Sequence, residues 1–225
     1  MKKVAIMQPY FFPYLGYFQL IDSVDIYVNL DHVSFMPRSY MTRNVIKDNL
    51  SINVPVLNGS QNRKCNEVEV DINEKYVSKF QKTLQHKYGK EKNFSFVMSE
   101  LIEPTFKSTN KTISQFNIEL IKSICELIGI QTEIIETSSH FNCLELKKEE
   151  CLMSIVSELN SAIYVNAIGG QKIYNKESFK QKGIDLYFVK TGILNYPNQY
   201  ASILDLLFTQ EIDSIKKELK NYSLV

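Results

Sequence analysis

The segment VAIMQPYFFPYLGYFQLI, residues 4–21, constrains this chain more than any other. Val4 to Met7 is an apolar run of strand length. Gln8, Pro9 and Pro13 and a cluster of aromatics follow, and the pattern turns helical only near Leu15. Each proline fixes φ and removes a backbone donor, so the middle of this segment is a constrained loop rather than core. Nor would a plain core segment need Gly16 where the helix should begin. A strand, a rigid loop and a helix N-terminus in that order form a common ligand-holding device, because the helix end offers unpaired N–H groups to an anion.

The rest of the chain repeats the alternation. Residues 3–7 read as a buried strand, 15–22 as a helix and 25–29 as a second strand, a spacing that suits a right-handed parallel crossover. Residues 33–46 read as an extended segment plus a loop, and 51–56 as a strand ended by Asn58-Gly59. Helical periodicity follows over 75–88, 94–101 and 113–128, with Gly89 and Gly129 as helix stops. Strands over 131–135, 162–165 and 184–189 alternate with helices over 146–159 and 175–182. A final helix over 203–219 breaks near Thr209. The expected fold is α/β, a mostly parallel Rossmann-like sheet with the first strand central. At 225 residues it fits one domain. The helices of 75–128 interrupt the alternation and are expected to form an insert capping the sheet.

Composition narrows the partners. Twenty-six basic residues against 25 acidic ones give a net charge of +1, which provides no long-range field for general nucleic-acid binding. A small anionic substrate remains compatible. Cys65, Cys125, Cys143 and Cys151 show no CxxC spacing, and the three histidines are scattered. This spacing suggests neither a metal site nor a disulfide framework, so reduced thiols in a cytoplasmic protein are expected. Lys2 and Lys3 precede an apolar run, but two prolines and no small-residue cleavage site argue against a signal peptide. No run of about 20 apolar residues suggests a transmembrane segment.

The opening blocks MQPYFFPYLGYFQLID and DIYVNLDHVSFMPRSYMTRNVI resemble the WbqC-like proteins of bacterial surface-polysaccharide gene clusters. The segments ELIGIQTEIIETSS, YVNAIGGQKIYN, GIDLYF and SILDLLF resemble later blocks of the same family, so the resemblance spans most of the chain. It implies a place in O-antigen-type polysaccharide biosynthesis and names the relatives better than it names the reaction.

Candidate site residues collect after successive strands, where ligands sit in doubly wound sheets. After the first strand come Gln8, Tyr14, Gly16 and Tyr17. The PYLGY segment falls where HIGH-type nucleotidyltransferases and pantothenate-synthetase-like ligases carry His-x-Gly-His. Both histidine positions are tyrosines here, and a neutral phenol donates hydrogen bonds without carrying charge. The competing reading is that these aromatics simply pack the loop. After the second strand, Asp31 and His32 form a candidate acid/base pair, with a hydrogen-bonded turn as the bland alternative. Arg43 and Asn44 follow. The chain has only three arginines (Arg38, Arg43 and Arg63), and two within six positions suggest a planar anion clamp rather than solvated charge. Ser138 and Ser139 close a strand before His140, where turn closure and ligand contact compete. Asn166, Gly169 and Gly170 stand where backbone can approach a ligand, although the family usually has Ser-Gly where Asn166-Ala167 stands. Asn198 and Gln199 are further candidates to line a site.

Three function classes fit. The first is an enzyme that transfers or ligates an acyl or aminoacyl group onto a nucleotide-linked amino sugar, using ATP or an activated donor. The second is a nucleotide- or sugar-nucleotide-binding protein without catalysis, suggested by the two tyrosines. The third is an assembly partner of other polysaccharide enzymes, which would expose a large apolar patch. The clustering of polar residues after strands favours the enzyme.

Overall fold

In the first strand, β1 (Lys3–Met7), alternate side chains leave the backbone on opposite sides, and both sides are apolar. A strand of this kind must be covered on both faces. The computed structural model, which describes residues 1–107, 110–146, 148–194, 196 and 200–225, provides that cover. Asn198 and Gln199 lie outside the described residues.

Beside β1 lie β2 (Ile26–Asn29) and β6 (Ile163–Ala167). The main sheet adds β5 (Glu133–Ile135) outside β2, then β7 (Asp185–Thr191) and β8 (Tyr222–Leu224) outside β6. The order is β5-β2-β1-β6-β7-β8, parallel throughout except for β8, which runs antiparallel to β7. The first strand is therefore interior, as its uniform apolarity requires. Three terminal residues carry too little pattern to announce β8 in advance.

Ala5, Tyr27, Val165 and Val189 belong to one core, with the buried faces of α1 (Leu15–Asp22), α5 (Ile113–Ile128), α8 (Ile203–Thr209) and α9 (Ile212–Leu219). Val4, Ile6, Val28, Tyr164 and Phe188 belong to a second core. They pack there with residues of α6 (Lys148–Glu158) and with Phe179 of α7 (Lys176–Gln181). Sheet and flanking helices thus make three layers. Gly16 permits the tight start of α1, since a Cβ there would lie 2.7 Å from the Tyr14 ring and 3.1 Å from Thr191 Oγ1.

Between β2 and β5 the chain forms a separate antiparallel hairpin, β3 (Arg43–Ile46) and β4 (Leu50–Asn53). Its turn places Asp48 and Asn49 at φ 61° and 56°. The helical insert follows: α2 (Glu74–Tyr88), α3 (Phe94–Val97), a π-helical turn (Met98–Ile102), α4 (Glu103–Thr105) and α5. Asn73 caps α2, a Thr112–Gln115 capping box opens α5, and Gly129 closes it at φ 80°. The α5 helix shares a core with Tyr17 and Tyr27, so the end of the insert packs into the layer over the sheet. Among the described residues no helix is long and apolar enough to cross a membrane.

Candidate functional site

The proline-rich loop after β1 is held by its carbonyls, nearly every one of which has a donor. Tyr27 Oη reaches Met7 O at 3.3 Å and Tyr17 Oη donates to Gln8 O at 2.7 Å. Asn117 of α5 donates to Pro9 O at 3.1 Å. Asn44 Nδ2 donates to Phe11 O at 3.2 Å and Phe12 O at 2.7 Å, and Ser202 Oγ to Phe12 O at 2.9 Å. Phe12 sits at φ 43°, a conformation that costs a non-glycine residue energy and persists because these bonds over-determine it. Prolines remove donors from the loop, and buried side chains from distant elements supply them.

This loop forms one wall of a cleft beyond the carboxyl ends of β1, β2 and β6. Its first compartment, ≈ 470 Å³, is bounded by Tyr10, Tyr14, Tyr40, Tyr174 and Tyr200, with Gln8, Asn166, Gly169 and Gly170 as polar or backbone surfaces. The second, ≈ 610 Å³, is lined by His32, Ser34, Met36, Lys148 and Cys151 among others. Gln8, Leu30, Leu152, Ile173 and Tyr174 border both, so the two are halves of one cleft. Lys148 is the only permanently charged residue lining either half among the described residues. Burial pushes the Tyr14 phenol up to about 12 and raises Tyr10 and Tyr174 as well, so these walls stay neutral hydrogen-bonding surfaces.

His32 lines the second compartment. Its Nδ1 lies 2.7 Å from Ser138 Oγ, which in turn donates to Asp31 Oδ1 at 2.9 Å. Asp31 also accepts from Ser138 N at 3.0 Å, while its own N–H donates to Ser138 Oγ at 3.0 Å. The expected Asp31–His32 pair therefore works through a serine hydroxyl, and Asp31, buried beneath, orients rather than faces the cleft. Burial lowers the pKa of His32; Asp31 opposes this and Lys64 adds to it, so the ring favours its neutral form. The opposite ring nitrogen, Nε2, lies 3.6 Å from Cys151 Sγ and 3.8 Å from Cys143 Sγ.

Of the residues expected from sequence, Gln8, Tyr14, Asn166, Gly169 and Gly170 meet in one compartment and His32 lines the other. Ser138 lies directly behind His32, and Ser139 accepts from Asn66 at 3.0 Å with its oxygen 3.5 Å from Asp31. Four of the expected residues lie outside the cleft lining. Gly16 is buried in α1, where it makes room for Tyr14 and Thr191. Tyr17 is buried and braces the loop from behind, bonded to Gln8 O and Tyr27 Oη. Asn44 spends its amide on the loop carbonyls. Arg43 is exposed on β3 and lines neither half of the cleft, because strand alternation turns it away from the side on which Asn44 is buried. Among the described residues, neither Arg43 nor Asp31 lines either half of the cleft.

The thiols were the group sequence reading missed. Cys143 and Cys151 are eight positions apart, outside any familiar ligand spacing, and they join His32 only after the chain has folded. A shallow depression of ≈ 680 Å³ on α2, lined by Lys75, Lys79, Lys82 and Lys87, is a solvated helix face open to water and holds no converging set of groups.

A family profile described as the WbqC-like protein family matches residues 8–217. The uncharacterized protein Rv1507c of Mycobacterium tuberculosis (strain ATCC 25618 / H37Rv) is 27% identical over 219 residues, covering 92% of this chain and 94% of the relative. No solved structure matches the chain significantly.

Proposed function

The chain belongs to the WbqC-like protein family, and from that premise we propose that it is a cytoplasmic enzyme of bacterial surface-polysaccharide, O-antigen-type biosynthesis. Its reaction would place an acyl or aminoacyl group on a nucleotide-linked amino sugar. The observation that carries this reading is the continuity of the cleft, in which a neutral tyrosine-walled compartment adjoins a second one lined by His32, Lys148 and Cys151.

Tyrosine faces suit the C–H surfaces of a sugar ring, and the amides of Gln8 and Asn166 suit its hydroxyls. Neither requires a charged ligand. Asn166 Nδ2 already donates to Tyr164 Oη at 2.9 Å, and its Oδ1 accepts from Ala167 N at 2.7 Å, so the amide is held in a fixed orientation. Lys148 offers a point charge for the phosphates or carboxylate of a donor in the second compartment. In the transfer step the sugar amine attacks the activated acyl carbon. The C–N bond forms, the leaving group departs with its electron pair, and the ammonium proton is lost. In this reading the two halves of the cleft would hold amine and acyl carbon side by side, and proximity is the main rate contribution of a two-substrate site.

Calorimetry with nucleotide-linked amino sugars, their N-acylated forms and free nucleotides tests the reading. The amino-sugar nucleotides should bind more tightly than the free nucleotides, and Tyr40→Ala should weaken them by roughly three- to tenfold, the worth of one aromatic contact. Equal binding of free nucleotide alone would reject the sugar assignment. Tight sugar-nucleotide binding with no acyl product from any activated donor would favour the non-catalytic alternative.

A further inference from the structure

We propose that His32, Cys143 and Cys151 form a three-ligand site for a divalent transition-metal ion of the zinc type, with the fourth coordination position opening on the cleft. This inference stands independently of the acyl-transfer reading.

The first support is geometric. Zinc bonds of about 2.05 Å to imidazole nitrogen and about 2.3 Å to sulfur, at tetrahedral angles, place nitrogen and sulfur about 3.6 Å apart. The observed separations from His32 Nε2 are 3.6 Å to Cys151 and 3.8 Å to Cys143, and all three candidate ligand atoms lie within 4.8 Å of one another. One imidazole lone pair accepts one S–H hydrogen bond well, whereas here two sulfurs flank it at nearly equal distance.

The second support is the proton inventory behind the ring. Ser138 Oγ has a single proton, which it gives to the Asp31 carboxylate at 2.9 Å, and it accepts the Asp31 N–H at 3.0 Å. Its remaining neighbour, His32 Nδ1 at 2.7 Å, must therefore be a donor. In the neutral ring that assignment leaves the lone pair on Nε2, the atom facing the sulfurs. Metal-binding histidines nearly always donate their other N–H in this way, which fixes tautomer and ring orientation.

The third support is access. Cys143 is fully buried, while Cys151 and His32 line the 610 Å³ compartment. Three protein ligands with one side open to a cleft is the arrangement of catalytic rather than structural zinc. Two thiolates would neutralise the ion, so burial of the set leaves no net charge. The ligands come from the segments after β2 and β5 and from the first turn of α6, and are brought together without a local motif.

The test uses the full chain, kept under reductant so that a Cys143–Cys151 disulfide cannot form, stripped with a chelator and titrated with cobalt(II). The expected result is one equivalent bound, with thiolate-to-cobalt charge-transfer absorption and the intense visible bands of a tetrahedral site, both displaced by zinc. Cys151→Ser and His32→Gln should abolish the charge-transfer signal or shift the visible bands, while Cys65→Ser and Cys125→Ser leave both unchanged. Ser138→Ala should weaken zinc binding by roughly 10- to 100-fold, as removal of an outer-shell partner does. Circular dichroism checks that each variant folds. If Cys151→Ser or His32→Gln does not fold, the wild-type spectrum decides alone. The proposal is overturned if the wild-type chain binds less than one equivalent or gives no charge-transfer band. It is also overturned if the spectrum survives unchanged in folded Cys151→Ser and His32→Gln proteins.

Discussion

His32 and Ser138 stand 106 positions apart in the chain, yet Nδ1 of one lies 2.7 Å from Oγ of the other. The contact depends on β2 and β5 being parallel neighbours, which brings the loops after both strands to one end of the sheet. Ser138 is buried, and its single hydroxyl links a carboxylate below to an imidazole above.

Ser138→Ala removes that link and leaves the His32 Nδ1–H and one Asp31 lone pair without their buried partner. Urea unfolding should show a loss of about 1–3 kcal/mol, the cost of an unsatisfied buried polar group. Ser139→Ala should cost less, because its oxygen is already 3.5 Å from Asp31 and only part-buried. Equal costs for the two serines would mean that the hydroxyl relay is not the stabilising element.

Asn44 and its neighbour Arg43 should behave oppositely. Asn44→Ala strips donors from the carbonyls of Phe11 and Phe12 in the loop that walls the cleft. A destabilisation of about 2–3 kcal/mol is expected by chemical denaturation, together with weaker sugar-nucleotide binding. Arg43→Lys should change neither stability nor binding measurably, since an exposed side chain away from the cleft contributes little.

The adjacent glycines, Gly169 and Gly170, separate cleanly. A Cβ at Gly169 meets nothing within 4 Å, so Gly169→Ala should be close to neutral. At Gly170 a Cβ would lie 3.2 Å from each of Asn166 Cγ, Phe188 Cε1 and Tyr174 Cδ2. Tyr174 and Asn166 line the cleft, so Gly170→Ala should displace them and reduce ligand affinity by roughly tenfold, about 1–2 kcal/mol of strain. Calorimetry on the two variants side by side decides the point.

Asp205 imposes a pH dependence. Burial pushes its carboxyl up to about 6, although Lys47 N–H at 2.9 Å and the nearby Lys47 charge pull the other way. The folded state therefore holds this proton more tightly than the unfolded chain. Its stabilising contribution is complete below roughly pH 4 and is lost as pH rises through about 6. Asp205→Asn keeps an oxygen to accept from Lys47 N and Tyr88 Oη and has no charge to bury. Its unfolding free energy in urea should exceed that of the wild type near neutral pH by on the order of 1 kcal/mol after solvent screening, and the gap should close toward pH 4. A gap that widens on acidification would contradict the assignment.

Period and punctuation are local properties, and they located β1, α1, α2, α5 and the break between α8 and α9 to within a residue or two. The apolar faces of β1 require a covered, interior strand, and Pro9 and Pro13 require a rigid loop after it; both follow from side-chain burial and backbone donors alone. Gln8, Tyr14, His32 and Gly170, in the segments after strands, and Asn166, near the carboxyl end of β6, reached the cleft because parallel strands deliver their carboxyl ends and following loops to one end of the sheet. Which way a side chain turns was another matter. Arg43 and Asn44 are neighbours in sequence, yet one is exposed and the other buried, because β3 pairs with β4 in a register that local pattern does not encode. Tyr14 and Tyr17 divided likewise between cleft and core through the phase of α1. The meeting of His32 with Cys143 and Cys151 was beyond the sequence altogether. It depends on the β2–β5 pairing and on where α6 starts, and non-local contacts of this kind are fixed only when the core closes.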